Sequence, residues 1–199
     1  MTKSLFTIIS ITFLTTQIAF ATCATSNIPG HYTDRYIDNN DGTITDKMTN
    51  LMWMKCDIDT LWDPVNKTCQ LEEEISGTVS PLKRKLYNWQ EALMETNNFN
   101  LNGFAGKQDW RLPNIKELAS LLEPGCLSSS HINAIDTSFF STPANNYWSS
   151  TPFPNATQNV PSINQAWIVI FRYNSSQMGV YFTDIEQKLS ARLVANNTK

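Results

Sequence analysis

The most regular hydrophobic pattern in the chain lies in residues 115–122. Its apolar positions recur at helical spacing and are Ile115, Leu118, Leu121 and Leu122. Just before them, Pro113 favours an extended backbone at the preceding residue. Asn114 and Glu117 then have the spacing of a capping box. The sequence predicts a helix that begins directly after Asn114 and buries one face.

A second helical pattern follows Asn88, which is suited to an N-cap. One face of this predicted helix carries Trp89, Ala92, Leu93 and Thr96. The polar pair at 97–98 is predicted to end it. Two helices are therefore expected in the middle of the chain.

The N-terminal half has the pattern of short strands. Residues 35–37 and 43–45 flank a polar loop that contains Asp41 and Gly42, a pair that favours a hairpin turn. Cation binding is the alternative for this acidic loop, but the EF-hand spacing would place Ile37 where the first aspartate should be. Residues 51–54 form a further short apolar strand.

The C-terminal half also predicts strands. Residues 147–151 are rich in aromatic and hydroxyl side chains, and 166–173 are apolar on both faces for most of their length, as in the centre of a sheet. A turn at 174–176 leads into 178–182, and residues 189–195 are expected to return beside these strands. The order of elements predicts an α+β fold with an antiparallel sheet, two helices and long loops.

The first 21 residues have the features of a signal peptide. Lys3 precedes an apolar run at 5–21 that ends in a small-x-small pattern, which predicts cleavage after Ala21. A membrane anchor and lipidation at Cys23 are the alternatives. We expect an N-terminal extension at 22–34 and one domain at 35–196. The chain is then exported to the periplasm, the outer surface or the extracellular space.

The charge balance limits the class of partner. The chain has 15 Lys plus Arg and 18 Asp plus Glu, so its formal net charge is −3. Removal of Lys3 with the leader leaves 14 cations against 18 anions, or −4. This balance argues against nucleic acid or an anionic membrane as the main partner. No other apolar run is long enough to predict a membrane span in the mature chain.

The four cysteines predict disulfides, because an even number of cysteines in an exported chain is typical of them. They are Cys23, Cys56, Cys69 and Cys126. Of the three pairings, the one that joins Cys56 to Cys69 closes a short loop and leaves Cys23 with Cys126. A metal site is the alternative, but there is no Cys-x-x-Cys spacing and both histidines, His31 and His131, are isolated in the sequence.

Candidate ligand-binding residues are basic or aromatic. Lys83, Arg84 and Lys85 form the only cluster of adjacent cations, which could hold a sulfate or carboxylate or could be a solvated edge. Trp62 and Trp148 are candidate stacking platforms if they are exposed, although tryptophans in strands often belong to the core.

Several short motifs in this order resemble the family of the Legionella collagen-like protein C-terminal domain. They are the runs 41–46, 51–53, 109–113, 116–118, 147–151, 166–167 and 192–194, together with Trp89 and Ala92. The resemblance covers roughly residues 35 to 195 and implies a C-type-lectin-like fold related to that of formylglycine-generating enzymes. One family member is an adhesin that binds sulfated glycosaminoglycans through a trimeric domain. This chain has 7 glycines and no collagen-like repeat, so it lacks a collagen-driven route to a trimer.

The resemblance supports a scaffold role for the 109–111 motif, in which Trp110 is expected to be buried and Arg111 to pair with a carboxylate or with carbonyl groups. A catalytic pair of Asp109 and Arg111 is the alternative. The residues expected to form the structural hub of the domain are Trp53, Trp89, Asp109, Trp110, Arg111 and Trp167.

We therefore expect an exported, adhesin-like, non-catalytic module that binds a polysaccharide or a cell-surface protein, without a cofactor or metal. The polysaccharide could be sulfated or otherwise anionic. The sequence does not decide whether the module forms an oligomer. One alternative is a structural or assembly subunit of a bacterial envelope appendage or secretion system. The other is an enzyme of the formylglycine-generating type, which would need a catalytic pair of cysteines. Here the cysteines are better explained as structural disulfides.

Overall fold

The computed structural model describes residues 34–71, 84–123, 133–143, 146–154, 164–174 and 177–198. Within these residues, five strands precede two α-helices and four strands follow them. The strands are β1 (Tyr36–Asp38), β2 (Thr43–Asp46), β3 (Leu51–Met54), β4 (Thr60–Asp63), β5 (Thr68–Leu71), β6 (Asn146–Pro152), β7 (Gln165–Asn174), β8 (Gln177–Asp184) and β9 (Val194–Asn196). The helices are α1 (Trp89–Asn102) and α2 (Ile115–Ala119). The predicted leader and all but the last residue of the N-terminal extension lie outside the described residues.

Both helices begin as the sequence predicts. Asn88 caps α1 in a capping box with Glu91, and Asn114 caps α2 in a capping box with Glu117. The predicted end of α1 at 97–98 is wrong, because the helix continues to Asn102 and ends at Gly103 in the left-handed conformation. Glycine adopts that conformation without steric cost, whereas the asparagine pair remains helical.

The strands form three antiparallel sheets rather than one. The first has the order β1-β2-β3-β9, the second is the β4-β5 hairpin and the third has the order β6-β7-β8. The predicted hairpins at the two ends of the domain, β1-β2 and β7-β8, are confirmed. The fold is thus mixed and mostly sheet, with two helices.

The last strand does not pair where it was predicted to. β9 lies against β3 in the first sheet, with Trp53 opposite Val194, instead of beside β7 and β8. Before it, Ser190 bridges Tyr147 of β6. The backbone of Ile58 then donates to the carbonyl of Ala191 at 3.0 Å. The C-terminal segment therefore connects the first and third sheets.

The two faces of β7 belong to two separate hydrophobic cores. Ala166, Ile168 and Ile170 pack in a cluster with α1, while Val169 and Phe171 pack in a second cluster with α2. This arrangement confirms the prediction that β7 is central, because both of its faces are covered. The cores place the helices on opposite faces of the third sheet.

A disulfide joins Cys56 and Cys69, whose Cα atoms are 5.5 Å apart. The sequence predicts a surface loop between them, but the structure places the β4-β5 hairpin there. The predicted partners Cys23 and Cys126 lie outside the described residues. Among the described helices, none is long and apolar enough to cross a membrane.

Candidate functional site

A cleft of about 460 Å³ lies beside the disulfide-closed β4-β5 hairpin. Its other walls come from Arg84 and the segment 137–142. Most of the lining side chains are cations, hydroxyls or aromatic rings. They are Lys55, Lys67, Arg84, Trp62, Phe140, Thr60, Thr68, Thr137, Ser138, Ser141 and Thr142, with Cys69. No carboxylate is among the described residues that line this cleft.

The tip of the hairpin is held by one carboxylate. Asp63 accepts hydrogen bonds from the backbone of Val65 at 2.8 Å and from the side chain of Asn66 at 2.6 Å. Its second oxygen also accepts from Gln70 at 2.9 Å. These bonds close the turn locally, so the disulfide and the turn constrain the two ends of the hairpin.

Trp62 is positioned by close contact with the first hairpin. Its ring lies directly against Gly42, where a Cβ would approach the Trp62 Cγ to 2.7 Å. Gly42 also has a positive φ of 89°. On the cleft side, the Nζ of Lys55 lies 5.1 Å from the centre of the Trp62 ring. Glycine is therefore needed at 42 both for the backbone conformation of the turn and to leave space for the Trp62 indole.

The three cations differ in how far they are neutralised. Lys55 donates to Asp38 at 2.6 Å, and Arg84 donates to Asp57 at 2.6 Å. Lys67 donates to the neutral side chain of Asn40 at 3.0 Å. Burial acts to raise the pKa of Asp38, but the hydrogen bonds from Lys55 and the Asn40 backbone outweigh it and lower that pKa. Lys67 thus contributes the least compensated positive charge.

A buried network lies behind Arg84. Asp57 is fully buried and accepts from Arg192 at 2.7 and 3.1 Å, from Arg84 at 2.6 Å and from the Tyr147 hydroxyl at 2.7 Å. Burial, and secondly the charge of Asp57, raises the pKa of Tyr147. Asp57 therefore anchors Arg84 at the wall of the cleft.

Asp59 is the unusual member of this region. Its side chain is 1% exposed, and no other described residue donates a hydrogen bond to either carboxylate oxygen. The Nη1 atom of Arg84 lies 3.9 Å from one of these oxygens. Burial, and secondly the charge of Asp57, raises the pKa of Asp59.

The predicted ligand-binding residues are separated by the fold. Trp62 and Arg84 both line the cleft described above. Lys85 lies elsewhere, with its Nζ 4.9 Å from the Tyr87 ring centre, and it lines a second cleft together with Lys188. Lys83 lies outside the described residues. The basic cluster is therefore not a single cationic surface.

Trp148 requires a correction. It is 0% exposed in the first hydrophobic core, and its indole N–H donates to the Tyr87 carbonyl at 2.8 Å. A fully buried ring offers no face to a ligand, so the stacking role predicted for it is wrong. Trp148 points to the inner side of β6, where α1 covers it.

The 109–111 motif connects three elements. Trp110 is buried and exchanges hydrogen bonds with the side chain of Asn100 of α1 at 2.7 and 2.9 Å. Arg111 pairs with both oxygens of Glu117 of α2 at 2.7 and 2.8 Å, and its backbone bridges Val194 of β9. Asp109 is half-exposed and accepts from the backbone of Asn196 of β9 at 3.2 Å. These contacts join the motif to α1, α2 and β9, as expected for a scaffold.

The other predicted hub residues divide into two groups. Trp53 and Trp89 are buried, and the Trp89 indole donates to the Ser149 carbonyl at 2.8 Å. Trp167 differs, because it is only partly buried and lies outside both cores against the rings of Phe153 and Phe182. Its predicted place in the hub is corrected to a place on the α2 side of the third sheet, beside those two rings.

Sequence reasoning missed most of the cleft. Lys55 directly precedes Cys56, and Lys67 lies two residues before Cys69. Their closeness in sequence to the disulfide was the signal that could have placed them at the cleft. Asp57 and Arg192 are far apart in the sequence, and no local pattern pairs them. Across the described residues, no group of three or more His, Cys, Asp or Glu side chains is arranged to hold a metal ion.

The model of the Lcl C-terminal domain family matches residues 42–195. This chain belongs to that family. The matched region runs from Gly42, on which the Trp62 ring rests, to the middle of β9, so it includes the cleft and the hub motif. No curated protein and no solved structure shows significant similarity to the chain.

Proposed function

We propose that this Lcl C-terminal domain is an exported, non-catalytic binding module that takes an anionic polysaccharide in the cleft beside the β4-β5 hairpin. The observation that carries the proposal is the lining of the cleft. One indole, three cations and six hydroxyl side chains share it, and no carboxylate is among the described lining residues. An adhesin-like role at the periplasmic or outer surface belongs to the same proposal.

The chemistry of the lining fits a sugar bearing sulfate or carboxylate groups. Trp62 supplies apolar surface beside the Lys55 ammonium that a sugar ring can contact, and the hydroxyls can exchange hydrogen bonds with sugar hydroxyls. Lys67 and Arg84 supply positive charge for the anionic groups. Although the whole chain is acidic, the charge near the ligand decides local attraction, and Lys67 presents a positive charge at the cleft beside a neutral partner.

A C-type-lectin-like fold belongs to this proposal as well. Its support is the family membership together with the mixed architecture of small antiparallel sheets, two helices and a stapled hairpin. In a non-catalytic module of this kind, loops and hairpins around a rigid core hold the ligand. The cleft has that arrangement.

The test is a binding titration of the mature chain against a panel of sulfated, uronate-containing and neutral polysaccharides at low and physiological salt. We expect binding to the anionic members, weakened by salt because the contact includes charge. Lys67→Ala and Trp62→Ala should each weaken binding about tenfold or more, since each removes roughly 1–2 kcal/mol of contact.

Lys116→Ala is the matched control, because Lys116 is exposed on α2 and lines no part of this cleft. Its affinity should equal that of the unmodified chain. Absence of binding to every polysaccharide at both salt concentrations would contradict the proposal. Equal losses of affinity in the Lys67 and Lys116 variants would also contradict it.

A role as an assembly subunit of a bacterial envelope appendage is the second candidate. One observation favours it, namely an apolar patch in which the exposed Val180 and Phe182 lie with the partly buried Phe153 and Trp167 beside the third sheet. Copurification of stoichiometric envelope proteins with the unmodified chain, lost on Phe182→Lys, would support this function over the first.

A further inference from the structure

Asp59 is a buried carboxylate next to the cleft beside the β4-β5 hairpin. The residue that follows it, Thr60, lines the cleft, whereas the Asp59 side chain is only 1% exposed. No other described residue donates a hydrogen bond to either of its oxygens. Buried carboxylates are normally paired or hydrogen-bonded, because an uncompensated charge in the interior is unfavourable. Asp59 thus differs from a paired carboxylate such as Asp46, which contacts Arg35 at 2.6 Å.

Arg84 connects Asp59 to the cleft. Arg84 lines the cleft, and its side chain is 35% exposed. Its Nη1 atom donates to Asp57 at 2.6 Å and lies 3.9 Å from one oxygen of Asp59. Its Nη2 atom donates to the Thr142 carbonyl at 3.3 Å. The same guanidinium therefore has a close carboxylate, a more distant one and a part that is accessible to a ligand.

The charges around Asp59 come from three groups. Asp57 accepts two hydrogen bonds from Arg192, at 2.7 and 3.1 Å, and these two residues neutralise each other. Tyr147 donates to Asp57 and stays uncharged, because its pKa is raised. What remains is the positive charge of Arg84 and the state of Asp59. An ionised Asp59 gives the four acidic and basic side chains a net charge of zero, whereas a protonated one leaves a single positive charge.

We propose that protonation of Asp59 strengthens the binding of an anionic polysaccharide in the cleft, because it removes a negative charge next to Arg84. This inference rests on the function proposed above. An ionised Asp59 cancels part of the attraction that Arg84 exerts on a ligand anion. By linkage, a bound anion favours the protonated carboxyl, so binding takes up a proton.

Burial places this protonation in a milder pH range than that of an ordinary aspartate. Burial, and secondly the charge of Asp57, raises the pKa of Asp59, while Arg84 and Arg192 act in the opposite direction and do not outweigh them. A change in affinity is therefore expected above the pH at which exposed aspartates are protonated, at about pH 4.

The experiment measures the affinity of the mature chain for dextran sulfate by calorimetry from about pH 4 to about pH 8. Sulfate esters stay ionised over this range, and uncharged dextran reports binding that does not depend on charge. The affinity of the unmodified chain should rise as the pH falls. Asp59→Asn should bind roughly three- to tenfold more tightly than the unmodified chain near neutral pH, and the two should converge in acid.

Asp34→Asn is the matched control. It makes the same change in net charge, but Asp34 is 88% exposed, pairs with Lys47 and is not among the described residues that line the cleft. Its affinity and pH dependence should stay close to those of the unmodified chain. Circular dichroism checks that both variants are folded.

Proton uptake gives a second readout. Calorimetry in two buffers of different ionisation enthalpy should show that the unmodified chain and Asp34→Asn take up more protons on binding than Asp59→Asn does. The inference is overturned if dextran sulfate binds but Asp59→Asn matches the unmodified chain in affinity and proton uptake at every pH. An equal gain of affinity in Asp34→Asn also overturns it. Absence of binding in all three chains at every pH contradicts the proposed function itself, which distinguishes the two failures.

Discussion

At the residue scale, the candidate site depends on a glycine that is not among the described residues lining the cleft. Gly42 serves a hairpin turn through its positive φ and leaves room for the Trp62 ring from another hairpin. The Nζ of Lys55 lies over that ring at 5.1 Å from its centre, within cation-π distance. The orientation of the proposed stacking surface is thus set by its neighbours.

Gly42→Ala should displace Trp62 and weaken polysaccharide binding. Gly103→Ala is the matched control, because Gly103 also has a positive φ, of 64°, but has nothing within 4 Å. Both variants should lose roughly 1–2 kcal/mol of unfolding free energy from backbone strain, and Gly42→Ala more because of the clash. Urea unfolding and the indole N–H signals in NMR measure this. An unmoved Trp62 signal in Gly42→Ala would contradict the packing argument.

At the element scale, the β4-β5 hairpin forms one wall of the cleft and is attached to the core through the disulfide. Cys56 is buried beside β3, whereas Cys69 lies on the hairpin and lines the cleft. The bond therefore links a buried anchor to a partly exposed binding element. Stability and binding are expected to be coupled through it.

The double variant Cys56→Ser with Cys69→Ser should lose about 3 kcal/mol of unfolding free energy, as expected for a closed loop of about 15 residues. It should also lose polysaccharide affinity, because the hairpin is no longer held against the core. Chemical unfolding and a binding titration measure the two effects. Thr96→Ser, a mild change on α1, is the control, and an unchanged affinity in the double variant would show that the hairpin holds its place without the bond.

At the scale of the whole molecule, buried charges connect elements that are distant in sequence. Asp57 joins Arg84, Tyr147 and Arg192, and Asp46 forms a two-point ion pair with Arg35 at 3.0 and 2.6 Å. Burial acts to raise the pKa of Asp46, but the Arg35 hydrogen bond outweighs it and the pKa is lowered. Asp59 is shifted in the opposite direction.

These opposite shifts predict opposite pH effects. The stability from Asp46 is present above its unfolded pKa of 3.8 and is lost as the pH falls through the lower folded value. The charged form of Asp59 destabilises the folded state. This loss of unfolding free energy grows as the pH rises from 3.8 through the raised folded pKa of Asp59.

Asp59→Asn should therefore raise the unfolding free energy near neutral pH and leave it unchanged below pH 3.8. Asp46→Asn should lower it near neutral pH, and the difference should shrink in acid. Urea unfolding over a pH series compares the two variants. If both substitutions changed the unfolding free energy in the same direction at neutral pH, burial would not be what shifts the pKa of Asp59.

The elements that depend on neighbouring residues could be predicted from the sequence. Asn88 predicts the first helix as its N-cap, and Asn114 predicts the second through a capping box, because both signals lie within a few positions of the helix start. The alternation at 166–173 predicts the central strand because side chains alternate across a sheet. The disulfide between Cys56 and Cys69 belongs to one of the three cysteine pairings that the sequence left open.

The contacts between those elements could not be predicted in the same way. β9 joins the first sheet, Trp148 faces a core, and Lys55, Lys67 and Arg84 converge with Trp62 on one cleft. Local patterns report which backbone a segment adopts, but not which distant surface covers it. That choice rests on long-range packing and on buried pairs such as Asp57 with Arg192, which are separated by 135 residues.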